Sequence, residues 1–157
     1  MIHNKEEIKQ IIPYEEPFLF IDQINKIEDD KISGSYQTRD SDYYFKGHFV
    51  NFKIMPGSLV LEALGQISSL LLRRKIGPEH KNYHFLAYGI RSAQFFKPIF
   101  PGDKMELNAQ VLGMYPLKEN KNKIAHIKAW ASVKGEIRAE CRLLMAIVDK
   151  EEFEEKF

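Results

Sequence analysis

The sequence has little that would point to an extracellular, membrane-bound or nucleic-acid-binding protein. Its single cysteine, Cys141, excludes an intrachain disulfide and a zinc site built from cysteines. No apolar run approaches the ~20 residues that a membrane-spanning helix needs, and residues 1–7 lack the apolar stretch of a signal peptide. The chain has 23 Lys and Arg residues and 22 Asp and Glu residues, so its net charge is +1. A general nucleic-acid binder would normally have an excess of basic residues. We therefore expect a cytoplasmic protein that binds neither membranes nor nucleic acids.

The sequence does contain enough apolar residues for one hydrophobic core. Its 157 residues are 44% apolar and 29% charged, which is typical of a single soluble globular domain over residues 1–157. Residues 118–123 are all charged or amide side chains and predict a polar loop or hairpin tip. Residues 149–157 hold five acidic residues and predict a solvated acidic tail.

Residues 58–75 give the clearest helix signal. They follow Pro56-Gly57, they end before Gly77-Pro78, and they are apolar on nearly every side. A helix that is apolar all round is a buried helix. A second, short helix is predicted over residues 4–12, with Asn4 as its N-cap.

Strands are predicted on both sides of the long helix, most clearly where apolar and polar residues alternate with a period of two. Their ranges are 18–27, 31–38, 83–96, 104–111, 125–133 and 137–147. Lys134-Gly135 fits a two-residue hairpin turn between the last two strands. We therefore predict an α+β fold in which a curved antiparallel sheet of about five to six strands wraps around the helix. We expect the last four strands to form a meander, and dimerisation to cover the sheet edges.

Two residues have the chemistry of an acid–base pair. His48 lies in an aromatic-rich irregular segment, and an imidazole can accept a proton at neutral pH. Glu62 lies in the first turn of an otherwise apolar helix, so we expect it to be buried, and a buried carboxylate needs a partner. Gly57 at the helix start offers a backbone N–H to a ligand oxygen without a side chain in the way.

These residues lie within motifs that resemble the β-hydroxyacyl-[acyl carrier protein] dehydratases of bacterial fatty-acid synthesis. The matching segments are PFLFID at 17–22, GHF at 47–49, MPGSLVLEA at 55–63 followed by Gln66, and FFKPIFPGD at 95–103. The spacing of 14 residues from His48 to Glu62 matches that family, and the resemblance runs from about residue 10 to about 148. Glutamate at position 62 resembles the simple dehydratase branch, because the dehydratase/isomerase branch carries aspartate there.

The resemblance implies the hotdog fold and a homodimer, often assembled as a trimer of dimers, in which His48 of one subunit faces Glu62 of the other. It implies that His48 takes the α-proton of a 3-hydroxyacyl thioester and that Glu62 positions or protonates the departing hydroxyl. The expected substrate-binding residues are then Gly57, Phe49 and Gln66. Gln66 is expected to orient the Glu62 carboxylate, which lies one turn before it on the same helix face. The reaction needs no metal and no redox cofactor, because nothing is oxidised.

The implied partner is acyl carrier protein, which is acidic, so a basic docking patch is expected. Its candidates are Lys46, Lys53, Arg73, Arg74, Lys75 and Lys97. The chain also departs from the family: Tyr14 stands where the family has a histidine, and Val50 and Lys53 stand where it has two prolines. Two other functions stay open: a hotdog acyl thioesterase, and a non-catalytic protein of that fold that binds acyl thioesters.

Overall fold

The computed structural model describes residues 1–117 and 121–157. Its helices are α1 (Lys5–Ile11), α2 (Gly57–Ile76) and α3 (Lys150–Lys156), with 3-10 turns at Tyr43–Phe45 and Pro78–Asn82. Its strands are β1 (His3–Asn4), β2 (Gln23–Ile27), β3 (Lys31–Gln37), β4 (Tyr83–Phe95), β5 (Lys104–Pro116), β6 (Lys123–Val133) and β7 (Glu136–Asp149). The predicted α+β class and the predicted long helix are confirmed.

The strands of the described ranges form one antiparallel sheet of seven strands in the order β1-β2-β3-β5-β6-β7-β4. The sheet is therefore slightly larger than the predicted five to six strands, because two N-terminal residues add a short edge strand. The predicted four-strand meander is wrong. β5, β6 and β7 follow one another, but β4 crosses over to pair with β7 and leaves β3 to pair with β5.

Helix α2 supplies the centre of the core. Its fully buried side chains include Leu64, Ile67 and Leu71, and they belong to the same apolar cluster as Leu107 of β5 and Ile127 of β6. Burying each such side chain contributes about 1.5–3 kcal/mol. This packing fixes the helix against the sheet and so fixes where its polar residues lie.

The turns and caps follow their sequence signals. Lys134 and Gly135 both have positive φ, 51° and 78°, which a two-residue hairpin turn between twisted strands requires. The Asn4 side chain accepts a hydrogen bond from the Glu7 backbone N–H, and the Asn4 backbone N–H donates one to the Glu7 carboxylate. Residues 118–120 of the predicted polar loop 118–123 lie outside the described residues.

The acidic segment at the C-terminus is helical where a tail was predicted. Asp149 caps α3 by accepting from the Glu152 N–H at 3.0 Å, and acidic residues in the first turn favour the helix dipole. Most of its side chains remain exposed, as predicted. Within the part of the chain that the structure describes, no helix is both long enough and apolar enough to cross a membrane.

Candidate active site

His48 lies in the loop that leads into α2, and one of its ring nitrogens is already engaged. Nδ1 lies 3.0 Å from the carbonyl oxygen of Ile54, and the Ile54 N–H donates back to the His48 carbonyl at 3.0 Å. A carbonyl only accepts, so Nδ1 must carry the proton. The Nε2 lone pair is then left to accept a proton from elsewhere. The ring stacks on Phe49 with 4.1 Å between the ring centroids. His48 is only half-buried, so a ligand can reach its ring.

A buried hydrogen-bonded cluster anchors the chain just before His48. Oδ2 of Asp42 accepts from the Tyr36 hydroxyl at 3.1 Å, the Tyr44 hydroxyl at 3.0 Å and the Arg39 N–H at 2.8 Å. The two tyrosine hydroxyls are 3.2 Å apart, and burial raises the pKa of both. Tyr36 belongs to β3 and Tyr44 to the 3-10 turn, so the cluster fastens the segment that carries His48 to the sheet. No local sequence pattern predicts this cluster, because it joins residues that meet only in the folded chain.

Glu62 is half-buried on α2, not fully buried as predicted, because the first turns of this helix are covered less than the later ones: Leu59 and Leu61 are partly buried as well. Its Oε1 accepts a hydrogen bond from Gln66 Nε2 at 3.1 Å. Gln66 is itself 1% exposed; it also donates to the Phe18 carbonyl at 2.9 Å and accepts from the Phe20 N–H at 2.9 Å. Because all these bonds fix the Gln66 amide, its N–H holds the Glu62 carboxylate in one position.

Replacing Gln66 should therefore destabilise the fold. In Gln66→Leu, the buried Phe20 N–H and the part-buried Phe18 carbonyl lose their partners, and an unpaired buried group costs about 1–3 kcal/mol. We expect the free energy of unfolding, measured by urea titration, to fall by about 2–5 kcal/mol. Gln110→Leu, a half-exposed strand position, is the matched control and should change it by less than about 1 kcal/mol. Equal stability of both variants would show that the amide is not a structural bridge.

Gly57 is the first residue of α2, and a helix leaves its first N–H groups without partners inside the helix. A Cβ at this position would lie 2.9 Å from the Phe95 ring, so only glycine allows that ring to approach. Beside Gly57 is a cavity of about 340 Å³ with mostly apolar walls. Its lining includes Met55, Gly57, Val60, Phe96, Ile99 and Arg138. The backbone N–H groups at the start of α2 thus border a space that suits an apolar ligand with a polar oxygen.

Within the described part of one chain, His48 and Glu62 share no hydrogen bond or ion pair. The surface near His48 is unusually apolar: Phe49, Val50 and Phe52 are 51%, 80% and 59% exposed. The sheet ends at β4, where Tyr88 and Ile90 are 69% and 56% exposed. An open strand edge and contiguous exposed apolar side chains are features of protein–protein interfaces.

Tyr14 is the residue near Glu62 to which sequence reasoning gave no role beyond a departure from the family. Burial raises the pKa of its hydroxyl, and the charge of Glu62 raises that pKa further. The phenol therefore stays neutral beside the carboxylate. The sequence signal for Tyr14 was its position, because the related dehydratases carry a histidine there.

The six predicted docking cations separate into three kinds. Arg73 is only 6% exposed, so its place in a surface patch is wrong; the apolar last turns of α2 carry it into the interior. Lys53, Lys75 and Lys97 are paired with carboxylates of Asp40, Asp30 and Glu136. Lys46 and Arg74 are exposed and make no ion pair within the described residues.

Comparison with known proteins places the chain among its relatives. The family model of FabA-like domains matches residues 12–142. A protein named 3-hydroxyacyl-[acyl-carrier-protein] dehydratase FabZ from Solibacter usitatus is 32% identical over 146 residues, which cover 93% of this chain and 86% of that protein. Another of that name from Bacillus licheniformis is 33% identical over 152 residues, with 95% and 99% covered.

Solved structures show the same fold at lower sequence identity. The dehydratase heterocomplex ApeI:P from Xenorhabdus doucetiae superposes with a TM-score of 0.71 at 16% identity, covering 94% of this chain and 95% of that one. A mutant thioesterase from Pseudomonas aeruginosa superposes with a TM-score of 0.66 at 13% identity, covering 95% and 96%. The expected wrapping of a long helix by an antiparallel sheet is thus confirmed as the hotdog arrangement. The chain belongs to the FabA-like family.

Proposed function

We propose that the protein dehydrates a (3R)-hydroxyacyl-[acyl carrier protein] to the trans-2-enoyl thioester in fatty-acid or related lipid biosynthesis. The observation that carries this proposal is the state of His48, whose Nδ1 is engaged by Ile54 and whose Nε2 is free to act as a base. Relatives of 32–33% identity that are named dehydratases support it. Glu62, held by Gln66, supplies the second acid–base group.

In the proposed reaction, His48 Nε2 removes the proton from C2 of the acyl chain as the C3–O bond breaks. Glu62 acts as the acid and delivers a proton to the departing hydroxyl, which leaves as water, and a C2=C3 double bond forms. The proton on His48 returns to Glu62 through solvent before the next turnover. The Gly57 N–H stabilises the thioester oxygen while negative charge builds on it. Phe49, stacked on His48, and the apolar cavity beside Gly57 hold the acyl group in this scheme.

The pair acts across a homodimer in this proposal. Two observations favour it: His48 and Glu62 share no hydrogen bond or ion pair in the described part of a single chain, and the open edge of β4 exposes apolar residues. Pairing of two β4 edges would satisfy their backbone groups and cover Tyr88 and Ile90. The proposal also includes the assembly of three such dimers into a hexamer, which the resemblance to the dehydratases implies. The candidate contacts for the acidic carrier protein are two exposed residues, Lys46 next to the His48 segment and Arg74 on α2. We place this reaction in the cytoplasm as part of the proposal.

The test is a spectroscopic assay on a 3-hydroxyacyl thioester of acyl carrier protein. Dehydration creates a conjugated enoyl thioester with its own ultraviolet absorbance, and hydrolysis releases a free thiol. We expect enoyl absorbance to appear without thiol. Thiol release without enoyl absorbance would instead make the protein a thioesterase. Binding with neither signal, across several chain lengths and with coenzyme A thioesters as well, would make it a binding protein.

A further inference from the structure

The C-terminal end of α2 holds a buried positive charge that the proposed reaction does not use. Arg73 is 6% exposed, and no carboxylate of the described ranges forms an ion pair with it. Its guanidinium lies 4.2 Å from the centroid of the Phe85 ring, and its Nε has no hydrogen-bond partner among the described residues. A buried cation without a counter-charge is costly, so its presence requires an explanation.

The neighbouring histidine does not neutralise this charge. Arg73 Nη1 lies 3.3 Å from His80 Nδ1, and a guanidinium can only donate, so Nδ1 must be the acceptor. His80 is then neutral, which agrees with the lowering of its pKa by burial and by the Arg73 charge. The hydroxyl of Ser69, one turn earlier on α2, also lacks a partner among the described residues. The Tyr14 hydroxyl also lies within electrostatic reach of Arg73, but burial raises its pKa and keeps it neutral, so within the described residues no anionic partner is paired with this guanidinium.

Arg73 lines a cavity of about 330 Å³ between α1, β2, β3 and the end of α2. Its apolar walls are formed by isoleucine and leucine side chains, including Ile11, Ile24, Ile27, Ile32 and Leu70. Its polar lining consists of Arg73, Arg74, His3 and His80, and no carboxylate is part of the wall in the described residues. A second hollow of about 300 Å³ reaches Arg73 from α1 and β4, and Lys81 and Lys150 lie in its wall. The surroundings are thus positive at one end and aliphatic elsewhere.

This cavity has a different lining from the cavity beside Gly57, although the charges of both Glu62 and Arg73 reach the Tyr14 hydroxyl. Arg73 follows Glu62 by eleven residues on α2, which at ~1.5 Å per residue places them about 16 Å apart along the helix axis. The cavity beside Gly57 shares no lining residue with it.

We propose that this cavity, named here the Arg73 pocket, binds an aliphatic carboxylate, with the carboxylate on Arg73 and the chain against the isoleucines. A carboxylate matches a guanidinium through charge-assisted hydrogen bonds, and an aliphatic chain matches walls of isoleucine and leucine. The walls contain too few further donors for a multiply charged phosphate ester, since His80 is neutral and Arg74 is exposed to water. The proposal is independent of the dehydratase activity.

Isothermal titration calorimetry with octanoate tests the proposal, with 1-octanol and inorganic phosphate as probes that lack the charge or the chain. We expect saturable octanoate binding by the wild-type protein, with at least about tenfold weaker binding of either other probe. Arg73→Leu should weaken octanoate binding at least about tenfold and should keep its fold, because replacing an unpaired buried charge by an apolar side chain is often neutral or stabilising. Arg142→Leu, on the exposed side of β7, is the matched control and should bind as wild type.

Histidine resonances locate the ligand. In a ¹H–¹³C spectrum with octanoate, the imidazole signals of His3 and His80 should move, while those of His48 and His126 stay. Movement of His48 alone, binding that Arg73→Leu leaves unchanged, equally tight binding of phosphate, or no saturable binding would each overturn the proposal.

Discussion

Removal of the His48 imidazole should reduce turnover by about a hundred- to ten-thousandfold. In His48→Ala no group at this position accepts the proton from C2, because the Nε2 that Ile54 leaves free is gone. The variant loses one half-buried hydrogen bond, worth about 1 kcal/mol, so its thermal midpoint should fall by no more than about 4 °C. The rate of enoyl formation and the melting curve are measured on the same preparation.

His84→Ala is the matched control for this prediction. His84 lies on β4 and pairs at the surface with Glu154, with 3.0 Å between Nε2 and Oε1. Surface pairs of this kind are worth at most about 1 kcal/mol, so the two variants should be similarly stable. His84→Ala should keep the wild-type rate. A rate for His48→Ala within a few-fold of its control would remove His48 from the mechanism.

The second large effect is expected in Glu62→Gln. An amide has the size of the carboxyl group but cannot donate a proton to the departing hydroxyl, so turnover should fall by about a hundred- to ten-thousandfold. The Gln66 Nε2 that lies 3.1 Å from Glu62 Oε1 can donate equally well to an amide oxygen, so the position of the side chain should be kept. Substrate binding should therefore change little while the rate falls.

Glu79→Gln makes the same chemical change at an exposed position after α2. It should leave the rate, the binding of substrate and the thermal midpoint at wild-type values. If Glu62→Gln behaves like this control, the hydroxyl leaves without help from Glu62. The carboxylate would then only be part of the polar structure around Gln66.

The sequence predicts local elements of this fold well and their arrangement less well. Helix α2 and strands β6 and β7 are strong patterns and appear within a few residues of prediction. Strand β5 runs to Pro116, five residues past the predicted end, because a register shift between Val111 and Gly113 breaks the alternation. The predicted strand at 18–27 begins only at Gln23, because the backbone at Phe18 and Phe20 bonds to Gln66 and not to a neighbouring strand.

Features that depend on distant contacts could not be predicted. The pairing of β4 with β7 joins segments that are far apart in the chain, and neither strand carries a signal for its partner. Arg73 reads as a surface cation at a helix end, but the Phe85 ring and His80 enclose it. For the site, the motifs identify His48 and Glu62, but the protonation of His48 at Nδ1 follows only from its contact with the Ile54 carbonyl in the folded chain.

If His48 of one subunit and Glu62 of another form one active site, two inactive variants should restore activity when they are combined in one dimer. His48→Ala and Glu62→Gln proteins are denatured together in equal amounts, refolded, and assayed for enoyl formation. A mixed dimer then has one site with both native residues and one site with neither. Random pairing makes half of the dimers mixed, so activity should return to about a quarter of the wild-type value.

Two controls accompany this measurement. Each variant refolded alone should stay inactive, and the wild-type protein refolded alone should regain its full rate. A return to about a quarter of the wild-type rate is the result that a shared site predicts. A mixture that forms dimers but stays as inactive as its separate components would contradict the shared site.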